Sequence, residues 1–455
     1  MLPSGWLWTG GAHWVAIRWC VRFAPVLALG ACALISLGLP PVARPLGREP
    51  QMRVLVQEAT RFSLRADGDR PLRVHGLAGG SRQGRRMSLQ LQGRQLLVEL
   101  DGHRQRLPLS RELRVTNDDP RGIWLGSRRY RGVLHLRGEA GNLRAINHLG
   151  VESYLASVVG SEMPHQWPMA ALQAQSVAAR TYALRKRNPA GLWDVKATVA
   201  SQVYTGVESE TPRTLQAVKS TRSLVLVHRG KLINAVFHSS SGGVTEASGM
   251  VWRYQLPYLV SVPDHDQHSP MHRWQQRFDA TGLRQRLPET GGVDAVQVLS
   301  RSSSGRVRQA RLQGPRGSLV LSGTDLRSRL GLKSTLVDFQ MVSAGSSPSP
   351  SPSPSQGSRI HQLTAPPPPP PLPSLRPLLR LSSRLSGGKQ LLVRGKGYGH
   401  GVGMSQWGAH GLAQRGADFR AILRHYYRGV EVMPYRPVHA PTLAKITPPK
   451  PRWRG

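Results

Sequence analysis

The sequence predicts an α+β fold, in which a β-rich amino-terminal portion precedes a mixed core of helices and sheet. Three observations lead to this prediction. Short runs of alternating apolar and polar residues, separated by Gly, Asp and Pro, fill residues 51–147. Two stretches with helical spacing and a strand pair follow within residues 148–343. A Pro- and Ser-rich linker at residues 344–377 then interrupts the core before a glycine-rich segment.

The amino terminus, residues 1–43, is predicted to be a signal peptide or a membrane anchor. Its apolar run at residues 23–39 follows Arg18 and Arg22, a pattern that places the basic side in the cytoplasm. The run is near the lower limit for spanning a bilayer. Leu-Gly-Ala before Cys32 leaves a lipoprotein cleavage site as an alternative. In each case we expect the rest of the chain to lie outside the cytoplasm.

The composition is strongly basic, with 62 Lys and Arg residues against 25 Asp and Glu residues and a formal net charge of +37. Such a charge implies an anionic partner: nucleic acid, a membrane surface or an acidic polymer. The arginines are dispersed without a basic helix or zinc-finger spacing, and delivery outside the cytoplasm argues against nucleic acid. Cysteine is confined to Cys20 and Cys32, which excludes disulfides and Cys-ligated zinc from the rest of the chain.

Residues 151–164 predict the first helix, with a carboxylate on its buried side. Apolar residues recur at helical spacing from Val151 to Val159. At about 100° per residue, Glu162 returns nearly to the azimuth of Val151, inside that apolar stripe. Pro164 disfavours helix at the residue before it, so Glu162 is expected in the last turn, at the negative end of the helix dipole.

Burial and the negative helix end both disfavour the ionised carboxylate, so we expect the pKa of Glu162 to be raised. A carboxylic acid that is still protonated near neutral pH can donate a proton to a glycosidic oxygen. The alternative is a Glu that ends the helix and either turns to solvent or pairs with an Arg.

A second helix is predicted at residues 169–187, with Pro168 suited to its first position. The stretch is rich in Ala, Leu, Gln and Arg, which are strong helix formers. Its small residues allow neighbouring elements to approach closely. Arg180 is a cation among alanines, so it is either a carboxylate binder for a ligand or a partner for a buried acid.

A β-hairpin is predicted from residues 224–228 and 231–237, which flank Arg229-Gly230. The second strand runs into His238 and a Ser/Gly-rich tip. Polar, flexible tips after apolar strands commonly carry binding groups, although an ordinary Ser/Gly turn explains the same composition.

The chain after the linker, residues 378–433, is predicted to complete the core. Its glycines alternate around His400, which implies unusual backbone angles or close contact with a ligand. A short helix at residues 418–427 is expected to close the ordered region. The basic, Pro-rich tail at residues 434–455 is predicted to be disordered.

Several motifs in one order resemble the stage II sporulation protein D / amidase-enhancer family of bacterial cell-wall proteins. The resemblance covers roughly residues 133–432 apart from the linker. The matching stretches are residues 130–132 (YRG), 152–155 (ESYL), 161–164 (SEMP), 174–182 (AQSVAARTY), 201–206 (SQVYTG), 237–243 (FHSSSGG) and 397–409 (GYGHGVGMSQWGA).

The resemblance implies a lytic transglycosylase that cleaves peptidoglycan glycan strands already stripped of their peptides. The catalytic acid of the family's Glu-Met-Pro motif corresponds to Glu162 here. Hydrolysis usually needs two carboxylates, whereas attack by the sugar's own C6 hydroxyl needs one and leaves 1,6-anhydro ends. A second group of residues is expected to bind the sugars and their carboxylates. These residues are Arg180, Gln202, Tyr204, His238, Ser239, Ser240, His400, Ser405 and Gln406.

The resemblance leaves a second role open, because other members are amidase enhancers that bind the wall and assist a separate hydrolase. No cofactor and no metal site are expected. A metal site at Asp264, Asp266 and the histidines His265, His268 and His272 fits no defined tetrahedral spacing. The expected partners are glycan strands, a cell-wall amidase and, through the amino terminus, the membrane. The expected location is the periplasm or cell envelope, either secreted or anchored to the inner membrane.

Overall fold

The computed structural model describes residues 49–139, 141–343 and 389–436. It has the predicted α+β fold, with sheets concentrated before residue 150 and helices packed with sheet after it. The predicted signal or anchor at residues 1–43, the linker at residues 344–377 and residues 437–455 of the predicted tail lie outside the described residues. In the part of the chain that the structure describes, no helix is both long and apolar enough to span a membrane.

The amino-terminal portion consists of twelve strands in two antiparallel sheets, because its short runs alternate between buried apolar and exposed polar residues. In the second strand, Phe62 and Leu64 face the core between exposed arginines. The strands are β1 (Gln51–Ala59), β2 (Arg61–Arg65), β3 (Leu72–Leu77), β4 (Gly80–Gly84), β5 (Arg86–Gln92), β6 (Gln95–Leu100), β7 (His103–Pro108), β8 (Leu113–Thr116), β9 (Ile123–Leu125), β10 (Arg128–Tyr130), β11 (Val133–Glu139) and β12 (Asn142–Gly150).

The described residues form eight α-helices, which follow β12 and lie mainly in the core. The helices are α1 (Val151–Glu162), α2 (Met169–Lys186), α3 (Pro212–Ser220), α4 (Ser248–Val251), α5 (Ala280–Arg286), α6 (Gly323–Leu330), α7 (Gln406–Gln414) and α8 (Phe419–Tyr426). Helix α2 is buried on most of its surface, since its alanines let neighbouring elements pack closely. Pro168 is the residue before this helix, in extended conformation, and not its first position as predicted.

The remaining strands form small sheets around these helices. They are β13 (Val195–Lys196), β14 (Leu224–His228), β15 (Lys231–Leu232), β16 (Phe237–His238), β17 (Trp274–Phe278), β18 (Ala295–Arg301), β19 (Val307–Gly314), β20 (Gly317–Ser322), β21 (Val337–Ser343), β22 (Lys389–Gly395), β23 (Met404–Ser405) and β24 (Glu431–Pro434). Strand β13 extends the first amino-terminal sheet by pairing in parallel with β1.

The predicted hairpin is present but shorter than expected. Strands β14 and β15 join through Arg229 and Gly230, whose φ angles of 50° and 72° suit a tight hairpin turn. The second strand ends at Leu232 rather than at residue 237. Strand β16 forms separately and pairs in parallel with β23, which brings the polar tip after β16 beside the glycine-rich segment.

Two hydrophobic clusters hold the described chain together. The larger one joins both amino-terminal sheets to α1, α2, α7 and α8. The smaller one includes Phe278, Leu312, Leu326 and Val393 and is built from α5, α6 and strands β17 to β22. Strand β22, which follows the linker, pairs with β17 on one side and β21 on the other. Strand β24 pairs with β14 and ends at Pro434, where the predicted tail begins.

Candidate active site

Glu162 lines a cavity of about 600 Å³ in the core. The walls come from the end of α1, the loop at residues 199–201, strand β16, the glycine-rich segment before β23, and the start of α7. Segments that are distant in sequence therefore meet around one carboxyl group. We call this cavity the Glu162 groove.

Helix α1 places the carboxyl group as its periodicity predicts. Glu162 is the last helical residue, and Met163 after it is extended and buried. The two oxygens of Glu162 accept hydrogen bonds from the Val203 amide, at 2.8 Å, and from Gln406 Nε2, at 3.4 Å. Neither donor carries a charge, so Glu162 is neither turned freely to solvent nor neutralised by these partners.

Burial raises the pKa of Glu162 above its ordinary value, while the hydrogen bonds from Val203 and Gln406 act in the opposite direction. The negative end of α1 adds to the effect of burial. The residue as a whole is only partly buried, because one side faces the groove. A carboxyl group so placed holds its proton to higher pH than an ordinary Glu and remains accessible to a ligand.

Two neutral histidines form the opposite part of the groove. His238 donates from Nδ1 to the Val402 carbonyl at 3.1 Å, and its Nε2 has no hydrogen-bond partner among the described residues. Burial, with the nearby His400 and Arg306, lowers the pKa of His238 well below its ordinary value. Burial also lowers the pKa of His400 to about 4. Both rings are thus uncharged at neutral pH and suited to hydrogen bonding with sugar hydroxyls.

The glycine-rich segment reaches these histidines because its backbone comes too close for side chains. Gly399 has a φ of 117°, and a Cβ there would lie 2.8 Å from the Cβ of His238. Gly403 has a φ of 71°, and a Cβ there would lie 2.2 Å from the Val236 carbonyl oxygen. The positive φ angles of the alternating glycines are the unusual backbone angles that the sequence suggested, and the close approach is to other parts of the protein.

The structure brings five of the predicted site residues into the groove. These are Glu162, His238, Ser239, His400 and Gln406. The other five predicted residues lie elsewhere, each with an internal partner.

Arg180 does not contact the groove, and the prediction that it binds substrate is wrong. Its side chain is fully buried and forms an ion pair with Glu152, with Nη2 donating to Oε2 at 2.6 Å and Nε to Oε1 at 3.0 Å. It also donates to the carbonyls of Leu224 and Val218. Arg180 is thus the partner of an internal acid, the second of the two roles that the sequence left open.

Gln202 and Tyr204 are also internal, so neither lies where a substrate could reach it. Gln202 accepts from the Tyr154 hydroxyl at 3.0 Å, and the Tyr204 hydroxyl donates to Asn147 Oδ1 at 2.7 Å. Their motif shapes the loop that leads to the Val203 amide. Its contribution to the site is therefore indirect, through the backbone donor to Glu162.

Ser240 and Ser405 stabilise the loops on either side of the groove. The Ser240 hydroxyl donates to Asp266, and Ser405 caps α7 by accepting from the Gly408 amide at 3.1 Å. Both are buried and absent from the groove walls. The polar tip after β16 therefore contributes His238 and Ser239 to the groove, and not Ser240.

The sequence did not indicate several residues that line the groove. Trp252 and Tyr398 are 39% and 45% exposed, which makes their rings available for stacking on sugars. Arg327 reaches the groove from α6, in the smaller hydrophobic cluster. The signal for Tyr398 was its place among the glycines. Nothing local distinguishes Arg327, since its position depends on how the two clusters pack.

The acidic and histidine-rich stretch after residue 263 is engaged in internal hydrogen bonds. Asp264 accepts from the Tyr426 hydroxyl at 2.6 Å and from Ser241. Asp266 accepts from the Gly242 amide at 2.7 Å. Within the described residues, no group of three or more His, Cys, Asp or Glu side chains is arranged to hold a metal ion.

Comparisons with known proteins give a consistent result. A family model described as SpoIID, Stage II sporulation protein, matches residues 139–228. An uncharacterized protein of Brachyspira hyodysenteriae is 30% identical over 322 residues, which cover 70% of this chain and 76% of that protein. An amidase enhancer of Bacillus subtilis is 32% identical over 297 residues, 62% of this chain and 40% of the enhancer. Stage II sporulation protein D of Bacillus subtilis is 28% identical over 309 residues, 64% and 76% of the two chains.

Proposed function

Because the chain belongs to the stage II sporulation protein D family, we propose that it is a lytic transglycosylase acting on peptide-free glycan strands of peptidoglycan. The observation that carries this proposal is the placement of Glu162. It is a carboxyl group with a raised pKa, at the wall of an open groove that also presents neutral hydrogen-bonding groups and exposed aromatic rings.

The proposed reaction uses Glu162 twice. Its protonated carboxyl donates a proton to the bridging oxygen as the bond from that oxygen to C1 of the muramoyl sugar breaks. The C6 hydroxyl of the same sugar attacks C1 and loses its proton to the Glu162 carboxylate. The products are a strand with a free hydroxyl and a 1,6-anhydro end, and the carboxyl group returns to its starting form.

A single carboxyl group is compatible with this route. Hydrolysis through water usually uses two carboxylates flanking the bond, and Glu162 is the one carboxylate among the described residues that line the groove. An internal nucleophile is held close to the reacting carbon, so a second acid is not required to activate it. Gln406 and the Val203 amide would stabilise the carboxylate formed after the first proton transfer.

The rest of the groove suits a carbohydrate. Trp252 and Tyr398 can stack on sugar rings, and His238, Ser239 and His400 can hydrogen-bond hydroxyl and N-acetyl groups. A wall substrate also requires delivery to the cell envelope, by secretion or an anchor. That location is part of the proposal.

The test is product analysis with defined peptide-free strands. We expect the wild-type protein to release fragments with 1,6-anhydro ends, seen by mass as the absence of added water. Glu162→Gln removes the transferable proton and should abolish cleavage, while Glu431→Gln, at the exposed start of β24 and outside the groove, should cleave normally. Intact strands with the wild-type protein would contradict the proposed activity.

The same variant separates a catalytic role from a structural one. The folded-state pKa of Glu162 is raised, so above the ordinary carboxyl pKa the unfolded state loses this proton more readily than the folded state. That difference destabilises the folded chain as pH rises and disappears at lower pH. Glu162→Gln and Glu162→Ala should therefore leave the free energy of unfolding at pH 7 unchanged or higher. Extensive unfolding would indicate a structural residue.

A second candidate function is a non-catalytic enhancer of a cell-wall amidase. One relative, 32% identical, carries the name amidase enhancer, and binding of the wall through the same groove needs no proton transfer. In this case the protein would bind strands, leave them intact, and increase the rate of a separately added amidase. Glu162→Gln would then retain the full effect.

A further inference from the structure

A second cavity, of about 390 Å³, adjoins the Glu162 groove. The two cavities share Arg327 and His400 in their walls, so they form neighbouring parts of one depression. The second cavity lies between the loop around Glu246, in the larger cluster, and strand β19 with the start of α6, in the smaller one. We call it the arginine cavity, after Arg306, Arg308 and Arg327 in its wall.

The arginine cavity carries an excess of positive charge. Its one acidic wall residue among those described is Glu246, and this carboxylate already accepts from Ser302, from Ser304 at 2.7 Å and from the Ala247 amide at 2.9 Å. Neither Arg308 nor Arg327 has an ion-pair partner in the described part of the chain. Three guanidinium groups therefore face one occupied carboxylate, an imbalance that favours an anionic ligand.

Arg306 gives the strongest indication that the cavity suits an anion. Its side chain is 2% exposed, and Nη2 donates to the Ser241 carbonyl at 2.7 Å. Its Nε and Nη1 have no hydrogen-bond partner among the described residues. Glu246, Asp266 and Asp264 favour its charged form from nearby, but they do not accept from these two donors. A buried donor without an acceptor is costly, and a ligand oxygen would supply the acceptor.

The start of α6 faces the same space. Ser322, Gly323 and Thr324 line the cavity at the positive end of this helix. Helix amino termini favour anions because backbone amides point outward there. Asp325 in the first turn of α6 offsets part of this effect, so the arginines supply most of the positive charge.

We propose that the arginine cavity binds the lactyl carboxylate of a peptide-free muramoyl residue in the same strand whose glycosidic bond lies in the Glu162 groove. The proposal rests on the proposed function and names the feature of the strand that is recognised. The glycan strand carries this carboxylate only where the amide bond to the stem peptide has been hydrolysed. A strand with its peptides presents a neutral amide there, which leaves the arginines without a counter-charge. An amide-hydrolysing reaction must therefore supply the substrate.

Arg308 and Arg327 make different contributions. Arg308 is exposed and lines only the arginine cavity, whereas Arg327 lines both cavities. Replacement of Arg308 should therefore reduce the preference for carboxylate without removing a wall of the groove. Arg316, in the turn between β19 and β20, lies outside both cavities and offers a matched control on the same sheet.

The experiment measures binding in the full-length Glu162→Gln protein, so that cleavage does not consume the probe. Two labelled glycan strands of equal length are compared at fixed ionic strength: one with free lactyl carboxylates, and one with these carboxylates converted to N-methylamides. We expect the carboxylate strand to bind about tenfold more tightly, the effect of one charge-assisted hydrogen bond. Adding Arg308→Gln should remove most of this preference, Arg308→Lys should retain part of it, and Arg316→Gln should retain all of it.

Equal affinity of the protein for the two strands would overturn the proposal, whatever the effect of inorganic phosphate added as a competitor. An equal loss of preference in Arg308→Gln and Arg316→Gln would also overturn it, since general charge would then explain binding. If inorganic phosphate binds but does not displace the carboxylate strand, the arginines bind a separate anion. That result would also overturn the proposal. Carboxylate-dependent binding without wild-type cleavage would support the cavity and contradict the transglycosylase. No binding of either strand would contradict both.

Discussion

Glu162 lies between influences of opposite sign. Enclosure by protein and the negative end of α1 favour its protonated form, while the Val203 amide and Gln406 favour the carboxylate. A group that must first donate a proton and then accept one requires such a balance, because a pKa far from the working pH would impede one of the two transfers.

We expect Gln406→Leu to shift this balance. Loss of the hydrogen bond to Glu162 removes an influence that lowers its pKa, so the pKa rises further. Activity that depends on the protonated acid declines as pH rises past this pKa. The alkaline limb of the kcat/KM profile, measured on peptide-free strands from pH 4 to 9, should therefore move to higher pH.

Gln414→Leu, at the exposed end of the same helix α7, is the control for this shift and should leave the limb in place. An alkaline limb that stays in place in Gln406→Leu as well would show that another group sets it.

His148 makes stability depend on pH in the opposite direction. Burial, the stacked ring of His135 at 3.6 Å, and Arg53 lower the pKa of His148 to about 4. The unfolded state then takes up a proton near the ordinary histidine pKa of about 6.5, before the folded state does. The contribution of neutral, buried His148 to the free energy of unfolding is therefore present in full above pH 6.5 and is lost as pH falls from 6.5 towards 4.

His148→Gln should remove that part of the pH dependence. The free energy of unfolding, measured with urea at pH 7, 6, 5 and 4, should fall more for the wild type than for the variant. The difference should be about 1–2 kcal/mol, after allowance for the partial exposure of His148. His103→Gln, at the exposed start of β7, should follow the wild-type curve. If the free energy of unfolding depended on pH in the same way for the wild type and His148→Gln, His148 would not be the group responsible.

The sequence predicted which face of α1 carries Glu162, but not which group the Arg180 side chain contacts. Helical periodicity fixes which face a residue lies on, and that was enough to place a carboxylate in the apolar stripe of α1. It does not say which element covers that face. Arg180 points at Glu152 inside the core, and only the packing of α1 against α2 distinguishes this from a ligand contact. The position of Arg327 could not be predicted for the same reason.

At the scale of elements, the pair of Arg180 and Glu152 connects α1 to α2. The same guanidinium bonds to the carbonyl of Val218 at the end of α3 and to that of Leu224 at the start of β14. One cation on α2 thus satisfies acceptors on three other elements, α1, α3 and β14. Removing it would leave a carboxylate without its partner and carbonyls without donors.

Arg180→Met should accordingly destabilise the fold by about 3–5 kcal/mol. Urea unfolding at pH 7 measures the change, and Arg187→Met, exposed after the end of α2, should change stability by less than about 0.5 kcal/mol. The folded fraction of Arg180→Met should bind glycan with wild-type affinity. If Arg180→Met were stable but bound glycan weakly, the result would support a contact between Arg180 and the substrate, contrary to the structure.

Local pattern was sufficient for elements stabilised by near neighbours. The helices at α1, α2 and α8 and the tight turn between β14 and β15 follow from periodicity, propensity and turn chemistry. The parallel pairing of β16 with β23 does not, because its partners lie on opposite sides of the linker. The smaller hydrophobic cluster was missed likewise, since strand β22 completes it from beyond the linker.

At the scale of the whole molecule, the segment after the linker is interwoven with the segment before it. Strand β22 lies between β17 and β21, β23 pairs with β16, and β24 pairs with β14. The α+β core is therefore one body made from two stretches of chain, and the covalent connection between them carries none of these pairings.

Cutting that connection should leave the body intact. With a protease site inserted within residues 350–380, the cleaved protein should elute as one species in size-exclusion chromatography and retain the proposed activity on glycan strands. The pairing of β22 on both edges supplies the reason, because its separation would expose the smaller hydrophobic cluster. A chain that stops at residue 343 should fail to fold, and separation of the cut pieces under native conditions would contradict the expectation.

Gln406 follows Glu162 by 244 residues, and this separation sets an order in time. A ribosome makes the acid first, and the wall residues Tyr398, His400 and Gln406 only much later. Unfinished copies therefore carry the acid without these three wall residues. For a protein proposed to cut the cell's own wall, late assembly would delay the hazard until the molecule is ready for use.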